Sequence, residues 1–207
     1  MPFRECMQLA AQWPLVEVRL DLLQASPEKI DLLAMQCRQW IVACRPGTLS
    51  ERERTVLLAA AMRAGATYAD IEYEAEPGYR QPLADLARQC RCKLIISYHD
   101  FDSTPDADRL DFIVESAREM GADCVKIATM ARCSADCARI MALYERHDNI
   151  AAFAMGEEGT ITRIAAPFLG AAFTFASVDE RRSTAPGQLT ASQMKHIYQN
   201  IAQSVKN

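Results

Sequence analysis

Short apolar, β-branched runs recur along this chain about every 25 to 30 residues, and a helical pattern follows each of them. The runs lie at 15–20, 40–44, 68–72, 94–98, 124–127, 150–154 and 173–175. One strand plus a crossover helix needs about that length, so the alternation predicts a parallel sheet with helices outside it. A doubly wound sheet would favour a glycine-rich phosphate loop after its first strand, and none is present. Seven or eight such units point to a (β/α)8 TIM barrel, folded as a single domain over residues 1–207. The chain opens on a helical pattern at 4–12 where an eight-stranded barrel should open on a strand. The expectation is therefore a barrel that lacks its first strand or has it upstream of Met1.

The helices carry their own start signals. Ser26-Pro27 puts a capping hydroxyl before a proline at the first helical position. Ser50-Glu51-Arg52-Glu53 reads as a capping box, with Glu53 able to reach back to the Ser50 amide. Helical spacing of apolar residues predicts further helices over 106–120, 134–146 and 190–205.

Composition removes several classes of function. Half of the 207 residues are apolar and the net charge is only -4, which excludes a disordered chain. With 23 basic against 27 acidic side chains there is no cationic excess to displace counterions from nucleic acid. The most apolar stretch, 164–178, is broken by Pro167 and Gly170 and is too short to span a bilayer. Arg4 and Glu5 stand where a signal peptide needs an apolar core, so a cytoplasmic protein is expected. Of the eight cysteines, the close pairs Cys90/Cys92 and Cys133/Cys137 lack the C-x-x-C spacing of a structural zinc site. They read as thiols of a reduced protein, and no metal is expected.

The polar residues on the strands are the informative ones. Glu17, Arg19 and Asp21 share one face of their segment, Ser97 and His99 share another, and Lys126 is the one charge in Cys124-Val-Lys-Ile-Ala. Arg45 directly follows a strand, and Asp70 and Glu72 end the next. Each has a bland reading alone: a lysine snorkels, a histidine bonds in a core, and Glu17 with Arg19 is a surface ion pair. In an all-parallel barrel, however, axis-facing charges have only the mouth to share. Apolar surroundings disfavour an ammonium, and a neutral amine can condense with a ketone to an imine. A histidine nearby can take a proton from the acidified neighbouring carbon and return it to a departing hydroxyl. Arginine forks would hold a substrate carboxylate. The set suits β-elimination or an aldol step on a hydroxylated keto acid.

With those residues in view, the sequence resembles the type I 3-dehydroquinate dehydratases over residues 16–188. Five ordered motifs carry the likeness: Glu17-Val-Arg19-Leu-Asp21, Ser97-Tyr-His99-Asp-Phe101, Val125-Lys126-Ile127-Ala128, Met155-Gly156 with Arg163, and Thr184-Ala-Pro-Gly-Gln188. The resemblance implies a lyase of the shikimate pathway of aromatic amino acid biosynthesis, with Lys126 as Schiff-base lysine and His99 as general base. Glu17, Arg19 and Arg45 would contact substrate hydroxyls, Arg163 and Gln188 the carboxylate end and ring hydroxyls, and Phe153, Met155 and Phe175 would wall the ring. Residues 177–188 are similar to the family's lid, and the family uses no metal or organic cofactor. Partners implied are 3-dehydroquinate, a second copy of the chain in a homodimer, and fusion or association with shikimate dehydrogenase, but no nucleic acid or membrane. The chain departs from the family at Leu49, where a glutamate that orients the histidine is usual, and Glu72 is a candidate substitute. It departs again at Thr184, where the family has serine, and Ser183 is a candidate for that contact.

Two other readings stay open on sequence. An aldolase acting on a sugar phosphate would want a phosphate site in the last loops, 156–159 and 176–182, which carry acidic residues as well as Arg181 and Arg182. A degenerate barrel could bind a quinate-like ligand without efficient turnover, which calorimetry alongside product assays would separate from catalysis.

Overall fold

The computed structural model describes residues 2–23, 26–183 and 185–204. The elements run α1 (Phe3–Ala10), β1 (Val16–Arg19), α2 (Leu20–Leu23), α3 (Pro27–Ala34), β2 (Trp40–Ala43), α4 (Glu51–Arg63), β3 (Tyr68–Glu72), α5 (Pro77–Cys90), β4 (Lys93–Asp100), α6 (Ala107–Glu119), β5 (Cys124–Met130), α7 (Ser134–Arg146), β6 (Ile150–Met155), α8 (Gly156–Ala165) and α9 (Ala191–Ser204). The sheet order is β1-β2-β3-β4-β5-β6, with no reversal of the kind a doubly wound sheet requires. Among the described residues α1 precedes every strand, as the opening helical pattern predicts. By contacts the chain divides into two compact units, Met1–Ser97 with Ala117–Cys124, and Tyr98–Ser116 with Val125–Asn207.

In the first unit, β2 (Trp-Ile-Val-Ala) is buried at every position, the signature of a parallel strand covered on both faces. Register sets Arg19 beside Ala43, Ala43 beside Asp70, and Glu72 beside Ser97, so the polar residues collect at the C-terminal ends of the strands. α4 begins at the Ser50 capping box: the Ser50 Oγ accepts from the Glu53 amide at 3.3 Å, and Glu53 accepts from the Ser50 amide at 2.8 Å. At the start of α3, Ser26 stands at the cap position, but its hydroxyl caps no backbone amide. Asp21 does not continue the β1 face, because the chain turns at once into α2.

In the second unit, β5 pairs with β6 in a register that sets Lys126 beside Ala151 and Ala128 beside Phe153. β6 is buried throughout, and α8 lies so close to it that a Cβ at Gly159 would meet Ala154 at 2.6 Å. The expected strand at 173–175 does not form. The outward backbone groups of β6 that it would bond are already taken. Ile150 O accepts from the Ala172 amide (3.0 Å), the Tyr144 hydroxyl serves both the amide and the carbonyl of Ala152 (2.8 and 2.6 Å), and Thr162 Oγ1 accepts from the Ala154 amide (2.8 Å). The stretch 156–159, read as a loop, is the first turn of α8. No helix among the described residues is long and apolar enough to cross a membrane.

Candidate active site

The second unit holds Lys126, His99, Arg163 and Gln188. Lys126 is 5 % exposed, and its Nζ lies 4.2 Å from the centroid of the Phe175 ring. Phe175 packs against Phe153 and Phe173, each with ring centroids 5.5 Å away. A cation over an aromatic face is attracted by its quadrupole, while a neutral amine there sits in an apolar wall, so the aromatic cluster suits both states of a reacting lysine. His99 lies at the half-exposed end of β4, its ring stacked with that of Phe101 at 6.3 Å and 12°. The same alternation that points Lys126 to one face of β5 points Thr129 to the other.

Arg163 is 1 % exposed, with its guanidinium 4.5 Å from the Phe153 ring centroid. Its Nε and Nη2 are buried and have no hydrogen-bond partner among the described residues. Burial without a carboxylate pulls its pKa down to about 10. Buried donors are nearly always satisfied in folded proteins, so an unpaired guanidinium fork has the chemistry to receive an anion.

The segment Ala185-Pro-Gly-Gln188 is docked on the start of α8. The Gly156 amide donates to Pro186 O at 3.0 Å and Thr160 Oγ1 donates to Gly187 O at 3.1 Å. Gly187 has φ +72°, and a Cβ there would overlap the Gly156 carbonyl, so only glycine fits. Ser183 donates to Ala185 O at 2.7 Å and lies 3.5 Å from Gln188 Oε1, so its hydroxyl is engaged within its own turn. Thr184 lies outside the described residues. A cleft of about 540 Å³ lined by Val178, Asp179, Glu180, Arg181, Arg182, Thr190 and Ser192 contains neither Lys126 nor His99. Within it Asp179 accepts from the Arg181 amide (3.0 Å) and pairs with Arg182 (3.4 Å), so the acidic residues that a phosphate site would exclude are built into it.

The first unit holds Glu17, Arg19 and Arg45, the two arginines joined through Asp21. Arg19 grips Asp21 with both arms of its fork (3.0 and 2.6 Å), and Asp21 also accepts the Arg45 amide at 3.1 Å. Burial alone would raise the Asp21 carboxyl, but these donors hold it below the usual carboxylate range. Arg45 reaches Asp70 (2.7 Å), Glu72 (3.1 Å) and the Ser97 hydroxyl (3.0 Å), and Ser97 in turn donates to Asp70 at 2.5 Å. Burial works against the Arg45 charge, but Asp70, Glu72 and Glu17 more than offset it and hold the guanidinium above its ordinary value. Both oxygens of Glu72 are engaged, one by Arg45 and the other by Arg54 at 2.8 Å.

Arg54 is the residue that sequence reasoning missed. It is 5 % exposed, donates to the Cys44 carbonyl at 2.7 Å, and lies 4.7 Å above the Tyr79 ring centroid. The signal was present: Arg54 precedes Leu57, Leu58, Ala61 and Met62 on the buried stripe of α4, where a charge needs a buried partner. Among the described residues no group of three or more His, Cys, Asp or Glu side chains is placed to hold a metal ion.

Known proteins agree on what this arrangement resembles. The family model for type I 3-dehydroquinase matches residues 3–205. A 3-dehydroquinate dehydratase from Desulfotalea psychrophila is 35 % identical over 193 residues, covering 88 % of this chain and 85 % of its own. The crystal structure of 3-dehydroquinate dehydratase from Geobacillus kaustophilus superposes with a TM-score of 0.82 at 27 % identity, over 99 % of this chain and 87 % of that one. The dehydroquinate dehydratase and shikimate dehydrogenase of S. pombe AroM gives 0.73 at 24 %, over 93 % of this chain and 41 % of that one, a likeness of fold. The fold is thus of the (β/α) barrel class.

Proposed function

Since the chain belongs to the type I 3-dehydroquinase family, we propose that it removes water from 3-dehydroquinate, giving 3-dehydroshikimate, through an imine on Lys126. The observation that carries this reading is a buried lysine, the one charged residue of β5, its Nζ held 4.2 Å over Phe175.

In this mechanism the Lys126 amine attacks the substrate ketone and expels its oxygen as water. The iminium draws electrons from the neighbouring carbon. His99 removes that carbon's proton, the resulting enamine expels the β-hydroxyl, and His99 returns the proton to the departing oxygen. Hydrolysis of the conjugated imine releases product and restores the amine. Arg163 supplies its unpartnered Nε and Nη2 to the substrate carboxylate, with Gln188 on the docked segment beside the ring hydroxyls. Contacts from Glu17, Arg19 and Arg45 to substrate hydroxyls belong to the same proposal and rest on the likeness of their motifs. A cytoplasmic biosynthetic enzyme follows from it. Association with a shikimate dehydrogenase belongs to the same proposal and rests on the likeness of the sequence motifs.

The test is covalent. Borohydride added with dehydroquinate should leave a permanent mass increment on the peptide carrying Lys126, and Lys126→Ala should abolish both increment and turnover. A folded sample that acquires no increment rules the mechanism out.

A further inference from the structure

We infer that Thr104 is a positioning residue for the reaction, fixing the end of the strand that carries His99 to the strand that carries Lys126. This rests on the imine chemistry proposed above.

The loop that follows β4 is tied down within a few residues of His99. Asp100 accepts from the amides of Asp102 and Ser103, both at 2.9 Å, and turns the chain back toward β5. Thr104 then inserts its side chain and is 8 % exposed. Its Oγ1 donates to the Met130 carbonyl at 2.8 Å and lies 2.9 Å from Thr129 Oγ1, itself fully buried. A hydroxyl has one proton. With that proton given to Met130, the Thr129 hydroxyl must be the donor to Thr104, so the polarity of the pair is fixed.

A second set of bonds holds the same loop from outside. Arg132 donates to Asp102 O at 2.8 Å and Arg139 to Thr104 O at 3.3 Å. Asp136, in the first turn of α7, organises both arginines. It accepts the Arg132 amide at 2.7 Å and pairs with the Arg139 guanidinium. Thr129 and Lys126 lie on opposite faces of β5, so this latch is built behind the reacting amine. Thr104 is therefore assigned no contact with substrate. What it controls is where the imidazole stands relative to the imine carbon's neighbour, and a displacement of about 1 Å there is enough to slow proton transfer by about a hundredfold.

Thr104→Val keeps the shape and removes both hydroxyl bonds. It should lower kcat by about tenfold to a hundredfold, leave KM within about threefold, and still give the borohydride increment at Lys126. Thr104→Ser should restore kcat to within about twofold of the parent, and Thr129→Val, which removes one bond of the two, should fall between them. If Thr104→Val does not fold, Thr129→Val carries the test alone. A kcat within twofold of the parent in whichever valine variant is folded, or an equal loss in Thr104→Ser, overturns the inference. If the parent itself gives no increment at Lys126, the chemical reading fails separately. The latch is then read by hydrogen exchange at residues 99–104: faster exchange in Thr104→Val supports it and unchanged exchange overturns it.

Discussion

Arg163→Met should make the free protein more stable and the enzyme far worse at holding its substrate. The two effects come from one fact, a guanidinium buried at 1 % exposure with Nε and Nη2 unbonded. Its depression from the ordinary guanidinium value to about 10 corresponds to about 3 kcal/mol of burial penalty that the fold does not relieve. Neutral pH lies below both the folded and the ordinary value, so the whole penalty acts there. Stacking on Phe153 offsets about 1–2 kcal/mol of it. Methionine fills a similar volume without charge, so the unfolding free energy in denaturant should rise by about 1–2 kcal/mol at unchanged m. Binding moves the other way. The substrate carboxylate would lose a desolvated charged partner, worth about 3–5 kcal/mol, and KM should rise about a hundredfold or more. Added carboxylate ligand should also stabilise the parent more than the variant. If the variant is less stable than the parent, or its KM stays within about threefold, the reasoning about an unpaired buried cation is wrong.

Two further outcomes are expected. Gly187→Ala should displace the Ala185–Gln188 segment from α8, because its φ of +72° and the Gly156 carbonyl leave no room for a Cβ; steady-state kinetics should show a lower kcat/KM. Asp21→Asn should cost about 1 kcal/mol at neutral pH by weakening its bonds to Arg19 and the Arg45 amide. The Asp21 carboxyl is depressed in the folded state, so that difference should persist above its unfolded value and vanish as pH falls through the folded one. Equilibrium unfolding of both proteins across the acid range checks this.

The parts of this fold that sequence reveals are those settled within a few residues. The Ser50–Glu53 box needs only its own turn, and it forms as read. Ser26 carries the same kind of signal, yet its hydroxyl caps no amide, because pattern alone does not fix where a cap side chain turns. The run at 173–175 has strand composition, yet whether it pairs depends on β6 groups that Tyr144 and Thr162 occupy from the helices on either side of β6, which composition does not reveal. At the site, His99 was a candidate from strand alternation, Lys126 as the one charge in its run and Arg45 by directly following a strand, all of them local signals. The buried stripe of α4 marks Arg54 as a charge in need of a partner, but that its partner is a Glu72 shared with Arg45 depends on which elements pack together.

The outward edge of β6 has a consequence for life at high concentration. An unbonded parallel edge is a template onto which an extended segment of another molecule can register, the first step of domain exchange or fibril growth. Here Ala152 offers neither donor nor acceptor to a newcomer, because one phenol has claimed both, and a threonine has claimed the amide of Ala154. Side chains borrowed from helices thus do the protective work that a further strand does elsewhere, and folded molecules are left little to polymerise along that margin.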